Sequence, residues 1–585
     1  MTDKKNPKIY YVLIVFSLLF SSCAPQSIAP ISTQPVPVHL PTDGPAATPH
    51  PGGLQVGDAV PASLREQAQG WNVPSNSFIT LDVSTSDTPA TATQIQWVYA
   101  LVVPFPTVTD GVNFDELKNA WSHADIPDAF NGQPLLMDES TLAALTSVWG
   151  EPAANAVRTV SADQLLDTAW SGLPSWAIIP FESLEPRWKV LTIDGQSPIR
   201  KKFDLSTYPL VVNFAFQSSS DLQPSAFTPA LAPGASVLHP SNYDASKLTT
   251  VIMTGVTALV RATAWTMERK GVKYPGEAIR DTLREADIAH ISNEIPFVSG
   301  CPDPQPDQTG LVFCSDPKYI DLLLDVGADV IELTGNHFAD HGAKGMVETI
   351  DIYNKNNLPY FGGGLDRKDS LQPALFELNG NRIAFIGCNR PDTGAFPTAT
   401  DERPGAAPCE FDILHKTVSD LKSHGFVVIS TFQWVESYDP IPHDPQVEDF
   451  QGMVDAGADI VSGSQAHYSQ TMEFYKNSFI HFGLGNLFFD QMEPYDIQRE
   501  FLDRYVIYDG KFISMELITA MLEDYSRPRL MTGQERFNFL TEYFDLSGWT
   551  PLTPTETPTL TPLPTIPPQT GTLELLPSLT PSPTP

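Results

Sequence analysis

An α/β fold is predicted for the larger part of this sequence, and three observations predict it. From Thr249 onward, short apolar runs alternate with helix-length amphipathic stretches. One of those runs, Asp329-Val-Ile-Glu-Leu333, reads as a buried strand and leads directly into Thr334-Gly-Asn-His337. The segment GADVIELTGNH, residues 327–337, is also repeated in outline by GADIVSGSQAH, residues 457–467. In both, a helix ends at Gly, an Asp follows, a β-branched strand runs on, and a His arrives at the same distance. Each His then stands in a loop at the C-terminal end of a strand, where α/β sheets bind their ligands.

With 585 residues, the chain has room for about two or three domains. The composition is globular, with 42% hydrophobic and 10% aromatic residues. A net charge of -34 argues against nucleic acid or another polyanion as partner. It accommodates divalent cations and neutral or cationic groups, and it also keeps an exported protein soluble.

Taken in order, the chain opens with Lys4, Lys5 and Lys8, an apolar run over residues 9–20, and Ser21-Ser-Cys23. A charged segment before an apolar segment too short for an ordinary span reads as a secretion signal. The small residues before Cys23 resemble a bacterial lipoprotein cleavage box. That resemblance implies a mature chain beginning at a lipidated Cys23, anchored on the outer face of a bacterial cell membrane; plain cleavage nearby is the other reading. Residues 24–60 are rich in Pro, Thr, Ser and Ala and read as an extended linker. Residues 549–585 repeat Thr-Pro and Leu-Thr-Pro and cannot bury a core, so a disordered surface tail is expected.

Residues 61–245 mix strand-like runs at 97–103 and 210–216 with helix-like stretches at 115–121 and 161–169. The segments WVYALVVPFPTVTDGVNFDELKNAW and WKVLTIDGQSPIRKKFDLSTYPLVVNFAF resemble parts of a type II periplasmic solute-binding domain of the phosphate-binding kind. The resemblance implies an α/β lobe. No Ser/Thr-Gly anion loop stands where a phosphate binder needs one, which favours a structural role over ligand binding.

Residues 246–548 carry the regular alternation. Strands are expected at 249–253, at 288–291 leading to Glu294, at 329–333, at 382–387 and at 426–432. Helices are expected at 275–286, through Tyr319, Leu322, Leu323 and Val326, through Met346, Val347, Ile350 and Tyr353 on one face, and at 445–454. Four cysteines follow Cys23: Cys301, Cys314, Cys388 and Cys409. In an exported chain an even count suggests disulfides. Of three connectivities the sequence-local one, Cys301 with Cys314 and Cys388 with Cys409, is chosen; each closed loop is worth about 3 kcal/mol in the chain-entropy model.

Candidate site residues in this half are Glu294, Asn336, His337, Asp340 and His467, with Gln433, Glu436, Ser464 and Gln465 nearby in the pattern. A carboxylate, an amide and two imidazoles could hold a divalent ion that polarises an oxygen or generates hydroxide. Without a metal, His337 could act as general acid or base. For one such His a cap or core role is the commoner explanation; two at matched spacing favour function.

Over about 260 residues the motifs resemble the CapA family, associated with poly-γ-glutamate capsule production and built like calcineurin-type metallophosphoesterases. LTGNHFADHGAKGMVET resembles the family's Asn-His-x-x-Asp-x-Gly motif, and LPYFGGG the strand and Gly turn that follow. GSQAH occupies the Gly-His-x-x-His region, and HFGLGNLFFDQ resembles the closing Leu-Gly-Asn-Phe signature. The resemblance implies a four-layer α-β-β-α sandwich, with Asn336, His467 and Glu294 as metal ligands and His337 and Glu294 as catalytic groups. The departures are equally specific. Val256 stands at the family's metal-binding Asp, Gln433 at the His of a His-Trp-Gly motif, and Ser464 and Gln465 where further ligands would be. One divalent ion (manganese, magnesium or zinc) or none is therefore expected. Gln433, Trp434, Glu436, Tyr438 and Gln465 are expected to line an amide-rich cleft for a polymer or sugar, core packing being the alternative for Trp434 and Tyr438. Two functions follow: a surface-anchored protein of capsule-polymer synthesis, export or anchoring, or a non-catalytic surface module that binds a solute or cell-wall polymer.

Overall fold

In the strand Leu248–Met253 successive side chains point to opposite faces. Val251 and Met253 join one apolar core, whereas Ile252 joins another. Val427 and Ile429 share the first of those cores, and Val428 turns to a third. This alternation, in a computed structural model of the chain, defines two sheets packed face to face, each covered outside by helices. The structure describes residues 53–69, 78–85, 88, 94–218, 239–390 and 397–549. Cys23, most of the 24–60 linker and nearly all of the 549–585 tail lie outside the described residues.

The first of the two facing sheets has nine strands, in the order Tyr360–Phe361, Val330–Glu332, Ile288–Asn293, Leu248–Met253, Arg499–Tyr508, Lys511–Glu523 and Arg527–Leu530; Val256–Thr257 and Asn486–Phe488 pair beside this path. The second has six: Ala374–Leu378, Asn381–Asn389, Val427–Ser437, Ile460–Ala466, Ser478–His481 and Met472–Tyr475. The strands at 248, 288, 330 and 360 are mutually parallel, as are those at 381, 427, 460 and 478. Helices Arg261–Lys270 and Gly342–Lys355 cover the nine-stranded sheet, and Phe411–Ser423 and Asp444–Ala456 the six-stranded one. The result is the four-layer α-β-β-α arrangement.

The first part of the chain forms its own eight-stranded mixed sheet, built from Gly53–Val56 to Val211–Ser218. Gly53–Val56 falls within the stretch read as linker. It is an edge strand, parallel to Phe78–Val83, whose four residues are too short a run to stand out after the Pro-rich segment. This sheet packs onto the sandwich: Phe105 meets Phe474, Phe479 and Trp549 edge-on at 5.3, 5.6 and 5.9 Å between centroids.

Two helix expectations are corrected. Of residues 275–286 only Arg280–Arg284 is α-helical, after a tight turn at Tyr274–Gly276. On Gly342–Lys355 the inward face is Gly345, Met346, Thr349, Ile350 and Tyr353; Val347, one step off that stripe, is 38% exposed. Cys301 is bonded to Cys314 and Cys388 to Cys409, with Cα–Cα distances of 5.8 and 5.0 Å.

Candidate functional site

Parallel strands from both sheets end at one edge, and the loops that leave them carry the candidate residues. In the nine-stranded sheet Ile288–Asn293 ends immediately before Glu294, whose backbone N–H donates to Thr257. Glu294 is only 3% exposed, and among the described residues its carboxylate has no hydrogen-bond partner. Gly335 lies against it: a Cβ there would sit 2.7 Å from Glu294 Cα, so only glycine fits. The next four residues, Asn336–Ala339, form a 3₁₀ turn in which Asn336 Oδ1 accepts the His337 N–H at 3.0 Å.

That turn places His337 Nδ1 2.8 Å from Asp340 Oδ2, which also accepts the Phe313 N–H at 2.7 Å. Among the described residues Nε2 of His337 has no hydrogen-bond partner. Burial disfavours the charged imidazole, but the Asp340 hydrogen bond and the charges of Glu294, Asp340 and Glu436 outweigh it, so the His337 pKa is raised. Beneath lies a second ionisable pair. Glu332, in the strand Val330–Glu332, is 3.0 Å from His290 Nε2 and accepts from Thr334 at 2.6 Å and from Ser464, of the other sheet, at 3.1 Å. Burial would raise its pKa; the hydrogen bond and charge of His290, with Thr334, bring it below the usual carboxylate value.

The six-stranded sheet contributes amides. Gln433 Nε2 donates to Asn336 Oδ1 at 2.9 Å, and Gln433 Oε1 accepts from Asn389, whose Nδ2 also reaches the Thr334 carbonyl at 2.7 Å. At the rim, His467 Nδ1 is 2.8 Å from Asn486 Oδ1, and its Nε2 is 3.9 Å from Glu436. Tyr438, half-exposed, donates to Glu436 at 2.6 Å and accepts from Gln491 at 3.1 Å. Gln465 is buried, its Oε1 has no partner among the described residues, and its φ of +75° is unusual for a residue with a side chain.

Trp434 does not line this cleft. Neighbours on a strand face opposite ways, so with Gln433 turned to the cleft Trp434 turns to the helices. Its indole donates to Asp449 at 2.9 Å, and the side chain packs in the core under Phe411–Ser423 and Asp444–Ala456.

Among the described residues no group of three or more His, Cys, Asp or Glu is arranged to hold an ion. The position a cation would take on Asn336 Oδ1 is filled by two N–H donors, from Gln433 and from His337. Val256 is fully enclosed between its neighbouring strands. These residues do not fit a dinuclear centre.

Sequence reasoning missed His290, Glu332, Asn389 and Asn486. A carboxylate inside an apolar run, as in Val-Ile-Glu-Leu, was the available signal for Glu332.

The comparisons with known proteins fall on the same half. Residues 250–491 match the family model described as bacterial capsule synthesis protein PGA_cap. The capsule biosynthesis protein CapA of Bacillus anthracis is 32% identical over 273 residues, which are 45% of this chain and 64% of that protein. The PGA biosynthesis protein CapA of Bacillus subtilis (strain 168) is 32% identical over 225 residues, 38% of this chain and 59% of that one. The chain thus spans somewhat less than two thirds of the curated relatives it matches. An ABC-type phosphate transport receptor from Vibrio cholerae aligns with 25% of this chain and 70% of its own, at 14% identity and a TM-score of 0.22. Residues 250–491 are thus similar to the bacterial capsule synthesis protein family.

Proposed function

We propose that this protein acts at the cell surface in the synthesis, export or anchoring of a polyglutamate-like capsule polymer, held to the membrane by lipid on Cys23. The observation that carries the reading is the family match over 250–491, which includes every candidate cleft residue. The cleft itself engages its ligand through amides, carboxylates and two imidazoles rather than through a stoichiometric metal. His337, with Nδ1 held by Asp340 and Nε2 unpartnered among the described residues, is the group able to give or take a proton there. The Gln433 amide on Asn336 Oδ1 favours a second reading, in which the cleft binds and does not catalyse.

Complementation of a deletion strain, with surface polymer quantified, tests the process. Loss of polymer that the intact gene restores, and that Cys23→Ala restores poorly with protein released from the membrane fraction, is expected. Polymer unchanged by the deletion sinks the assignment. His337→Ala separates the two uses of the cleft: a folded variant that binds polymer normally and fails to support its production favours catalysis, and one that supports it fully favours binding alone. Elemental analysis of the purified protein is expected to find less than one divalent ion per chain, with Gln433→His raising the content; a full equivalent in the unaltered protein would overturn the metal-free cleft.

A further inference from the structure

Each cleft imidazole rests on a phenylalanine, and one arginine lies between the two phenylalanines. The His337 ring meets Phe313 edge-on at 4.8 Å between centroids, and the His467 ring is tilted against Phe489 at 5.3 Å. The Arg261 guanidinium is 5.3 Å from the Phe313 ring and 5.1 Å from the Phe489 ring. It is fixed there by Asp490, which takes Nε at 3.1 Å, pairs with a terminal nitrogen, and accepts the Ala262 N–H at 3.0 Å. Phe313 and Phe489 belong, with Ala258, Val260 and Ile295, to a small apolar cluster separate from the main cores. Arg261 has φ +45°, a left-handed conformation for a residue with a side chain, at the first residue of the helix Arg261–Lys270. Such backbone persists only where the surroundings over-determine it, and it gathers at functional sites.

From this arrangement we infer that Arg261 is a positioning residue that sets the two cleft imidazoles jointly. One arm runs through Phe313, whose ring packs on His337 and whose N–H holds the same Asp340 oxygen that orients His337. The other runs through Phe489 to His467. A planar guanidinium suits this role because it can stack on two rings while keeping a forked pair with one carboxylate. An ammonium at the end of a flexible stem cannot do both. The inference concerns geometry within the cleft and stands independently of the polymer reading.

Histidine NMR on the full chain tests it, with the two resonances assigned through His337→Gln and His467→Gln. Arg261→Lys is expected to move the imidazole signals of both His337 and His467 and to lower the His337 titration midpoint, while the exposed His424 stays in place. Phe313→Leu is expected to move His337 alone, and Phe489→Leu His467 alone. General destabilisation would change the melting temperature without moving folded-state signals, so it does not imitate this pattern. A folded Arg261→Lys protein in which neither signal moves, or only one does, overturns the proposal. Should that variant not fold, Asp490→Asn, which loosens the same guanidinium, carries the same expected and contrary outcomes.

Discussion

The units at 327–337 and 457–467 stand one in each facing sheet, and through Ile331 and Val461 they are built alike. Gly327 and Gly457 both take positive φ, at +81° and +114°. Asp329 and Asp459 follow, and each accepts the N–H of the second residue of the neighbouring strand, Ala289 and Val428, at 2.9 Å. Val330 and Ile460 enter the core between the sheets, and Ile331 and Val461 turn to the helices. Beyond that point the units diverge. The first has Glu332, Gly335 and Asn336 where the second has Ser462, Gln465 and Ala466. The shared positions carry the α/β frame; the unshared ones carry the chemistry, and the buried network around Glu332 belongs to the first unit.

Glu332 and Ser462 put that division to its most severe test. Replacing Glu332 with Ala strands His290 and Thr334 in the interior and leaves Ser464 with the Phe432 carbonyl alone. Breaking a buried pair in this way costs about 3–5 kcal/mol, read as a lower midpoint in urea unfolding. Ser462→Ala, which interrupts no hydrogen bond among the described residues, is expected to cost about 0.5 kcal/mol or less. Equal losses at the two positions would mean that the units differ in sequence but not in energetic role.

The two aspartates sharpen the likeness instead. Asp329→Ala and Asp459→Ala each leave a strand N–H, of Ala289 or Val428, without its acceptor, at about 1–3 kcal/mol apiece. Asp459 also pairs with Lys422 at 2.7 Å, a half-exposed contact that adds little. Similar costs within that range are expected from paired denaturation curves. A negligible loss at one position would show that the capping geometry is shared without being equally needed.

What was legible in the sequence follows the same line. The frame was legible, because apolar alternation, the terminal Gly and the following Asp are local signals that burial enforces residue by residue. His337 and His467 stood out through their matched spacing, and Asn336 only through its place beside His337. Trp434 was misplaced, because its aromatic character drew attention away from strand alternation, which assigns Gln433 and Trp434 to opposite faces. Glu332 was overlooked because a lone carboxylate in an apolar run acquires meaning only from a partner, and His290 lies on a different strand, 42 positions away. The second disulfide pair required no such knowledge, since Cys388 and Cys409 are neighbours in the chain as well as in the fold.

The smallest expected effect separates the two histidines. His337 Nδ1 is held by a carboxylate and His467 Nδ1 by an amide oxygen. Because the folded pKa of His337 is raised, the folded protein holds that proton more tightly than the unfolded chain, where the value is about 6.5. The stabilisation is therefore complete below the unfolded value and fades as pH rises through the folded one. Asp340→Asn keeps an acceptor for Phe313 but removes the negative charge. The stability difference between wild type and Asp340→Asn is accordingly expected to be larger near pH 5 than near pH 9, and the His337 midpoint in the variant to fall toward its ordinary value. A gap between the two unfolding curves that stays constant across this range, with the midpoint unmoved, would place the Asp340 contribution in loop geometry alone. His337 would then be no more distinctively poised than its counterpart across the cleft.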